Sequence, residues 1–152
     1  MARLLVRDQS ITCEVDVLKE AIGPPCHLVI GPVLALDDAV GLKVRALHER
    51  AAHRDFIDVR AANARLSWVE MEGWGARHTS GFSLAELADR LGSIEERDDR
   101  GFAAYGLDDA DIARLRRWAN DWESDIRGRL AAGESGPAGA ADDEWDAYLD
   151  EL

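Results

Sequence analysis

Lys43-Val-Arg-Ala-Leu-His-Glu-Arg50-Ala-Ala-His-Arg54-Asp55-Phe-Ile-Asp58 holds the joint between two helical segments. Asp37 and Asp38 form an acidic start for the first, whose pattern runs from about Asp37 to Arg50 with Val40, Val44 and Leu47 as its apolar stripe. The second runs from about Arg54 to Leu66, and Phe56, Ile57 and Val59 are set to pack it down. Lys43 and Arg50 stand two helical turns apart and share a face; Asp55 and Asp58, at i and i+3, share another. A short joint brings such faces together as a compact cluster of cations and carboxylates. That chemistry suits the handling of phosphates, or a structural ion-pair network.

Lysine usage sharpens the first reading. Of the 18 Lys and Arg residues, only Lys19 and Lys43 are lysine. A lysine inside an amphipathic helix of an arginine-rich chain points to a compact, movable ammonium that meets phosphate as a point charge. The competing reading is a solvated helix face, whose exposed ion pairs contribute little.

On the N-terminal side, Arg3–Arg7 and Ile11–Val17 read as two short strands around the polar turn Asp8-Gln-Ser10. Alternation in the second strand puts Glu14 and Asp16 on one face, roughly 7 Å apart along the backbone. A carboxylate pair of this kind can hold Mg2+, or it can be the wet side of a half-exposed hairpin. Gly23-Pro-Pro25 marks a loop, and Leu28–Leu36, broken by Gly31-Pro32, reads as one or two short extended pieces. Gly41 costs its helix about 1 kcal/mol relative to Ala and leaves room for the preceding strand to approach.

On the C-terminal side, Ser67–Gly81 reads as irregular, with Trp74 between Gly73 and Gly75 as either a nucleobase platform or a loop anchor. Ser83, with Glu86 at the box position, starts a third helix carrying Leu84, Leu87, Leu91 and Ile94. The last strong helix opens at Asp108 and runs to about Leu130, with Ile112, Leu115, Ala119, Trp122 and Ile126 on its core side. Asp109-Ala-Asp111 is the acidic first turn of that helix. The chain therefore reads as α+β, an N-terminal β-hairpin followed by a mainly helical body.

Composition sets the class. With 152 residues, 47% hydrophobic and 32% charged, the chain can bury a single core and carries no disorder signature across its body. It has no apolar run of membrane-spanning length and no signal-peptide pattern, so a cytoplasmic location and reduced Cys13 and Cys26 are expected. Net charge is −12, and no Lys or Arg follows Arg129, although the body up to residue 130 is itself acidic. A broad nucleic-acid surface is thereby disfavoured, while a local basic cavity of Lys43, Arg50 and Arg54 is not. His27, His48, His53 and His78 lack ligand spacing and read as surface histidines, the alternative being that His48 and His53, which flank the basic motif, contact phosphate; no nucleophile elbow or Walker loop is present. Gly133–Gly139 reads as a flexible linker within 131–141. It leads to an acidic amphipathic tail, 142–152, in which Trp145, Tyr148, Leu149 and Leu152 recur at helical spacing.

Lys43-x-x-Ala-(x)3-Arg50-(x)3-Arg54-Asp-Phe-Ile-Asp58 resembles the distal motifs of the AbiEii/MenT-like nucleotidyltransferase toxins. The resemblance spans roughly residues 3 to 125, taking in Gly31–Asp38 as the lead-in to the helix, Arg3–Asp8 with Glu14–Val17 as the preceding hairpin, and Asp98–Phe102 as a downstream turn. It implies transfer of a nucleoside monophosphate from an NTP to an acceptor such as tRNA or a protein. Lys43 and Asp55 would be active-site residues, with Arg50 and Arg54 on phosphate and Asp58 in support. Asp16, with Glu14, would face the Mg2+ ions, and an antitoxin would be the protein partner, engaged through the acidic tail. Members of the family carry a Gly-Gly or Gly-Ser turn and then an Asp-x-Asp pair upstream of the hairpin; no such elements precede Arg3 here, and Asp109-Ala-Asp111, with no glycine turn leading into it, reads as a helix start instead. The expectation is thus the distal part of a nucleotidyltransferase domain over 1–130, incomplete and inactive alone; the alternative is a non-catalytic remnant or binding module that contacts a protein partner.

Overall fold

The computed structural model describes residues 2–8, 11–17 and 22–139, so the tail expected over 142–152 lies outside the described residues. Period-two alternation does form the hairpin: β1 (Ala2–Asp8) pairs antiparallel with β2 (Ile11–Val17), Leu4 opposite Val15 and Val6 opposite Cys13. Arg3 faces Asp16 in the same register and binds the carboxylates of both Glu14 and Asp16. The half-exposed hairpin expected from the alternation is more open than that. Every described β2 residue is exposed, and Leu4, Val6, Ile11 and Val15 stay in solvent on the apolar face. A second small hairpin, β3 (Cys26–Leu28) with β4 (Gly31–Val33), accounts for the extended pieces around Gly31-Pro32. Gly31 has φ +113°, a conformation that favours glycine.

The core belongs to the helices. α1 (Leu36–Glu49) and α2 (His53–Ala62) form as expected, with α2 ending four residues before Leu66. Between them Ala51, at φ 47° and fully buried, turns the chain sharply. A left-handed alanine costs about 1–2 kcal/mol, tolerated at this position because its methyl group fills the core. α4 (Leu84–Gly92) starts at Ser83, whose hydroxyl accepts the Glu86 N–H, and passes into a short 3-10 turn over Ser93–Glu96. The Asp98–Phe102 turn is a one-turn helix, α5 (Asp99–Ala103), capped by Asp98. α6 (Asp109–Ala131) opens with a reciprocal capping box between Asp108 and Asp111, so its Asp-x-Asp is a helix start as read. The stripes Val40–Val44–Leu47, Leu84–Leu87–Leu91–Ile94 and Ile112–Leu115–Ala119–Trp122–Ile126 are all buried.

The irregular reading of Ser67–Gly81 is corrected: Trp68–Ala76 is a helix, α3. Ser67 caps it with Glu70 closing the box, two bonds that outweigh the glycines. Gly75 in α3 and Gly41 in α1 serve packing, whereas Gly73 has open space beside it. A Cβ on Gly75 would lie 2.4 Å from Val44 Cγ1, and one on Gly41 would lie 2.5 Å from the Trp74 carbonyl oxygen. The element that needs space at Gly41 is therefore α3, not the preceding strand. Trp74 is partly buried against the core, as an anchor would be, although on a helix rather than a loop. α3 is locked to α6 by the buried Glu72, which accepts the Trp122 indole N–H at 2.8 Å and two Arg129 N–H groups at 2.5 and 3.0 Å. Past α6, residues 134–139 form no helix or strand, and Gly136 and Gly139 lie against Leu84 and the Thr79–Phe82 turn. No helix among the described residues is long and apolar enough to cross a membrane.

Candidate functional site

The reversal at Ala51 sets the start of α2 beside the end of α1, and the charged side chains of the joint meet there. Asp55, at the third position of α2, accepts the Ala52 N–H at 2.9 Å. This is one half of a capping box, since Ala52 has no side-chain oxygen to return the bond. Both Asp55 oxygens also accept from Arg50, each at 2.9 Å. Burial by itself would raise the Asp55 carboxyl; the Arg50 guanidinium, the Ala52 N–H and the nearby charge of Lys43 outweigh it and hold the group below the usual carboxylate range.

One turn further, Asp58 Oδ2 is shielded from solvent, 2.7 Å from Lys43 Nζ and 3.4 Å from Arg54 Nε. These contacts lack hydrogen-bond alignment, so Asp58 holds Lys43 by charge rather than by direction. The result is layered. Asp55 is 1% exposed and Asp58 28%, while Lys43, Arg50 and Arg54 stand above them at 42%, 65% and 62%. Lys43, Arg50, Arg54, Asp55 and Asp58 are thus brought together as the spacing suggested. Such an arrangement presents positive charge outward on a fixed anionic base, which suits a polyanionic ligand.

Glu14 and Asp16 belong to a different constellation. Both are bound to Arg3 on the exposed hairpin, with contacts of 2.6 and 2.7 Å, and no hydrogen bond or ion pair among the described residues joins them to Lys43 or Asp55. Among the described residues no three His, Cys, Asp or Glu groups come together as a metal site. Arg3 neutralises both carboxylates of this pair, and a cation seated there would have to displace it.

The histidine reading needs correction. His48 and His78 are buried, not surface groups. His48 stacks on Phe82, its Nε2 accepts the Ser83 N–H at 3.3 Å, and the Glu86 carboxylate lies 3.3 Å from the same nitrogen without closing a box on Ser83. His78 packs over Gly41, with Nε2 3.1 Å from Asp38 Oδ1 but out of hydrogen-bond alignment. Burial lowers the His78 pKa, and the Asp38 charge opposes that shift only in part. Asp38, read as a helix-start acid, is likewise buried, and accepts the Gly23 N–H at 2.9 Å. Spacing alone could not reveal this trio, because its members are 15 and 40 residues apart. Cys13 and Cys26 are free and exposed. Compared with protein-family models, curated proteins and solved structures, the chain matches none.

Proposed function

We propose that the Lys43 cluster is the triphosphate-handling part of a nucleotidyltransferase of the AbiEii toxin type. The reaction is transfer of a nucleoside monophosphate from an NTP to a hydroxyl acceptor such as a tRNA end or a protein side chain, with pyrophosphate leaving. The supporting observation is the layering of three outward cations on two shielded carboxylates. Lys43 neutralises the phosphates as a point charge, and Arg50 and Arg54 donate to their oxygens. Asp58 keeps Lys43 in place without an aligned bond that a ligand must break. Asp55 is a positioning residue that acts through Arg50. The Asp-x-Asp pair on which the family's metal chemistry depends stands upstream of its hairpin, whereas Asp109-Ala-Asp111 here is the start of α6, so no metal step is assigned to these side chains. Transfer is expected only where a further polypeptide segment supplies that pair.

A specific observation favours a second reading. Arg50 and Asp55 satisfy one another so fully that the pair is complete as a structural clamp, as in a non-catalytic module that contacts a protein partner. Titration of the 15N-labelled chain with an NTP, followed by amide shifts, separates the two. Shifts centred on Lys43, Arg50 and Arg54 support phosphate handling. Their absence at millimolar NTP, or shifts centred elsewhere, leaves the binding module.

A further inference from the structure

Between Glu20 and Asp37 the chain carries no Asp, Glu, Lys or Arg, in a protein that is 32% charged. This uncharged segment contains the β3–β4 hairpin and much of the exposed apolar surface. The two-residue turn at its tip is Val29-Ile30, 107% and 86% exposed. Hairpin turns of this length ordinarily take Asn, Asp or Gly, and β-branched side chains held in water gain nothing from the turn itself. Leu28, Ile22, Leu34 and Leu36 are exposed as well, at 60%, 43%, 40% and 59%. Together the six expose on the order of 700 Å2, close to the roughly 800 Å2 that each partner of a standard interface buries.

At the opposite end of the same hairpin lies a groove of about 630 Å3, lined by Ile22, Pro24, Pro25, Pro32, Val33 and Leu34. Its volume exceeds what two aliphatic side chains fill. Knob and groove are thus separated by one hairpin length, about 10 Å for three-residue strands. Two such hairpins laid antiparallel about a two-fold axis set each tip at the other's base, which is the reciprocal contact an isologous dimer makes.

We propose that this face is a self-association surface, on which a second copy of the chain seats its Val29–Ile30 tip in the groove at the base of β3–β4. Charge selects the occupant. Each copy carries −12, so most surfaces repel a second copy, whereas the tip and the groove residues of this hairpin carry no charge. The same lack of cations gives an anionic membrane or a nucleic acid no purchase there.

Sedimentation equilibrium of the full chain over a concentration series tests the proposal, with Val29→Asp/Ile30→Asp as the comparison. The wild type is expected to reach twice its 16.7 kDa chain mass. The double variant should dissociate at least tenfold more readily, with unchanged helical circular dichroism because the tip lies outside the core. A cross-link fixes the geometry. Ile30→Cys in a Cys13→Ser background should oxidise to covalent dimers through the native Cys26, and Cys26→Ser should abolish them. A wild type that stays monomeric at all concentrations, dimers indifferent to the tip charges, or tip-to-tip cross-links that survive Cys26→Ser would each overturn the proposal. Any of these would leave the face to a different protein.

Discussion

Both oxygens of the buried Asp55 carboxylate accept from Arg50, at 2.9 Å each, while the Arg50 side chain remains 65% exposed. The relationship anchors a cation to the protein without burying it. Asp55 also holds the first turn of α2 through the Ala52 N–H, so one carboxylate serves the fold and the charge layer at once.

That double duty separates two substitutions. Asp55→Ala removes a helix-start acceptor and opens a void, though the Arg50 it frees is already in water, so a loss of about 2 kcal/mol is expected. Lys43→Ala removes only a partly exposed ion pair and should cost under about 1 kcal/mol. Urea unfolding of both variants checks this. Equal losses would mean that Lys43 is a structural group and not a ligand-facing one.

Gly41→Ala has a sign that helix propensity gets wrong. Alanine favours the helical state by about 1 kcal/mol. Its methyl group, however, would sit 2.5 Å from the Trp74 carbonyl oxygen and 2.4 Å from the His78 ring. Overpacking of this kind costs about 1–3 kcal/mol, so the variant should be less stable than the wild type. A rise in melting temperature would show that α1 and α3 are not as close as described.

The helices and their core faces were legible because periodicity reports which side of an element is dry. Lys43, Arg50, Asp55 and Asp58 were legible because the helical repeat and a short joint confine them to one neighbourhood. α3 was not, since Gly73 and Gly75 read as breakers, whereas Gly75 is a contact point against Val44, a role set by a helix some thirty residues earlier, and Gly73 is simply carried in the helix. Glu72 and the Asp38–His78 pair were hidden for the same reason. Each looks like a surface polar group until distant partners bury it. For Glu14 and Asp16, alternation correctly put both on one face, but it could not show that Arg3 occupies them.

His78 gives stability a pH dependence. Its folded-state pKa is depressed by burial, so below about 6.5 the unfolded chain takes up a proton that the folded chain resists. The contribution is complete above that value and falls as pH drops through about 6.5 toward the lowered folded value. Urea midpoints should therefore decline between pH 7.5 and 5.5, and the decline should shrink in His78→Asn. A variant with an undiminished slope would assign the effect to other groups.

Incubating the pure chain with labelled NTPs, Mg2+ and tRNA should yield no appreciable transfer, because no glycine turn and Asp-x-Asp pair stand before the hairpin and Arg3 binds both Glu14 and Asp16. Robust labelling that disappears in Asp16→Ala would show that the hairpin carboxylates do act on a metal.

The central claim is that Lys43 faces phosphate, and calorimetric titration of NTP into wild type and Lys43→Ala tests it most directly. The wild type should bind with a salt-sensitive affinity, and the variant should bind at least tenfold more weakly while keeping its urea midpoint within about 1 kcal/mol of stability. Equal affinity in the two proteins would contradict the claim and leave the cluster a structural ion-pair network.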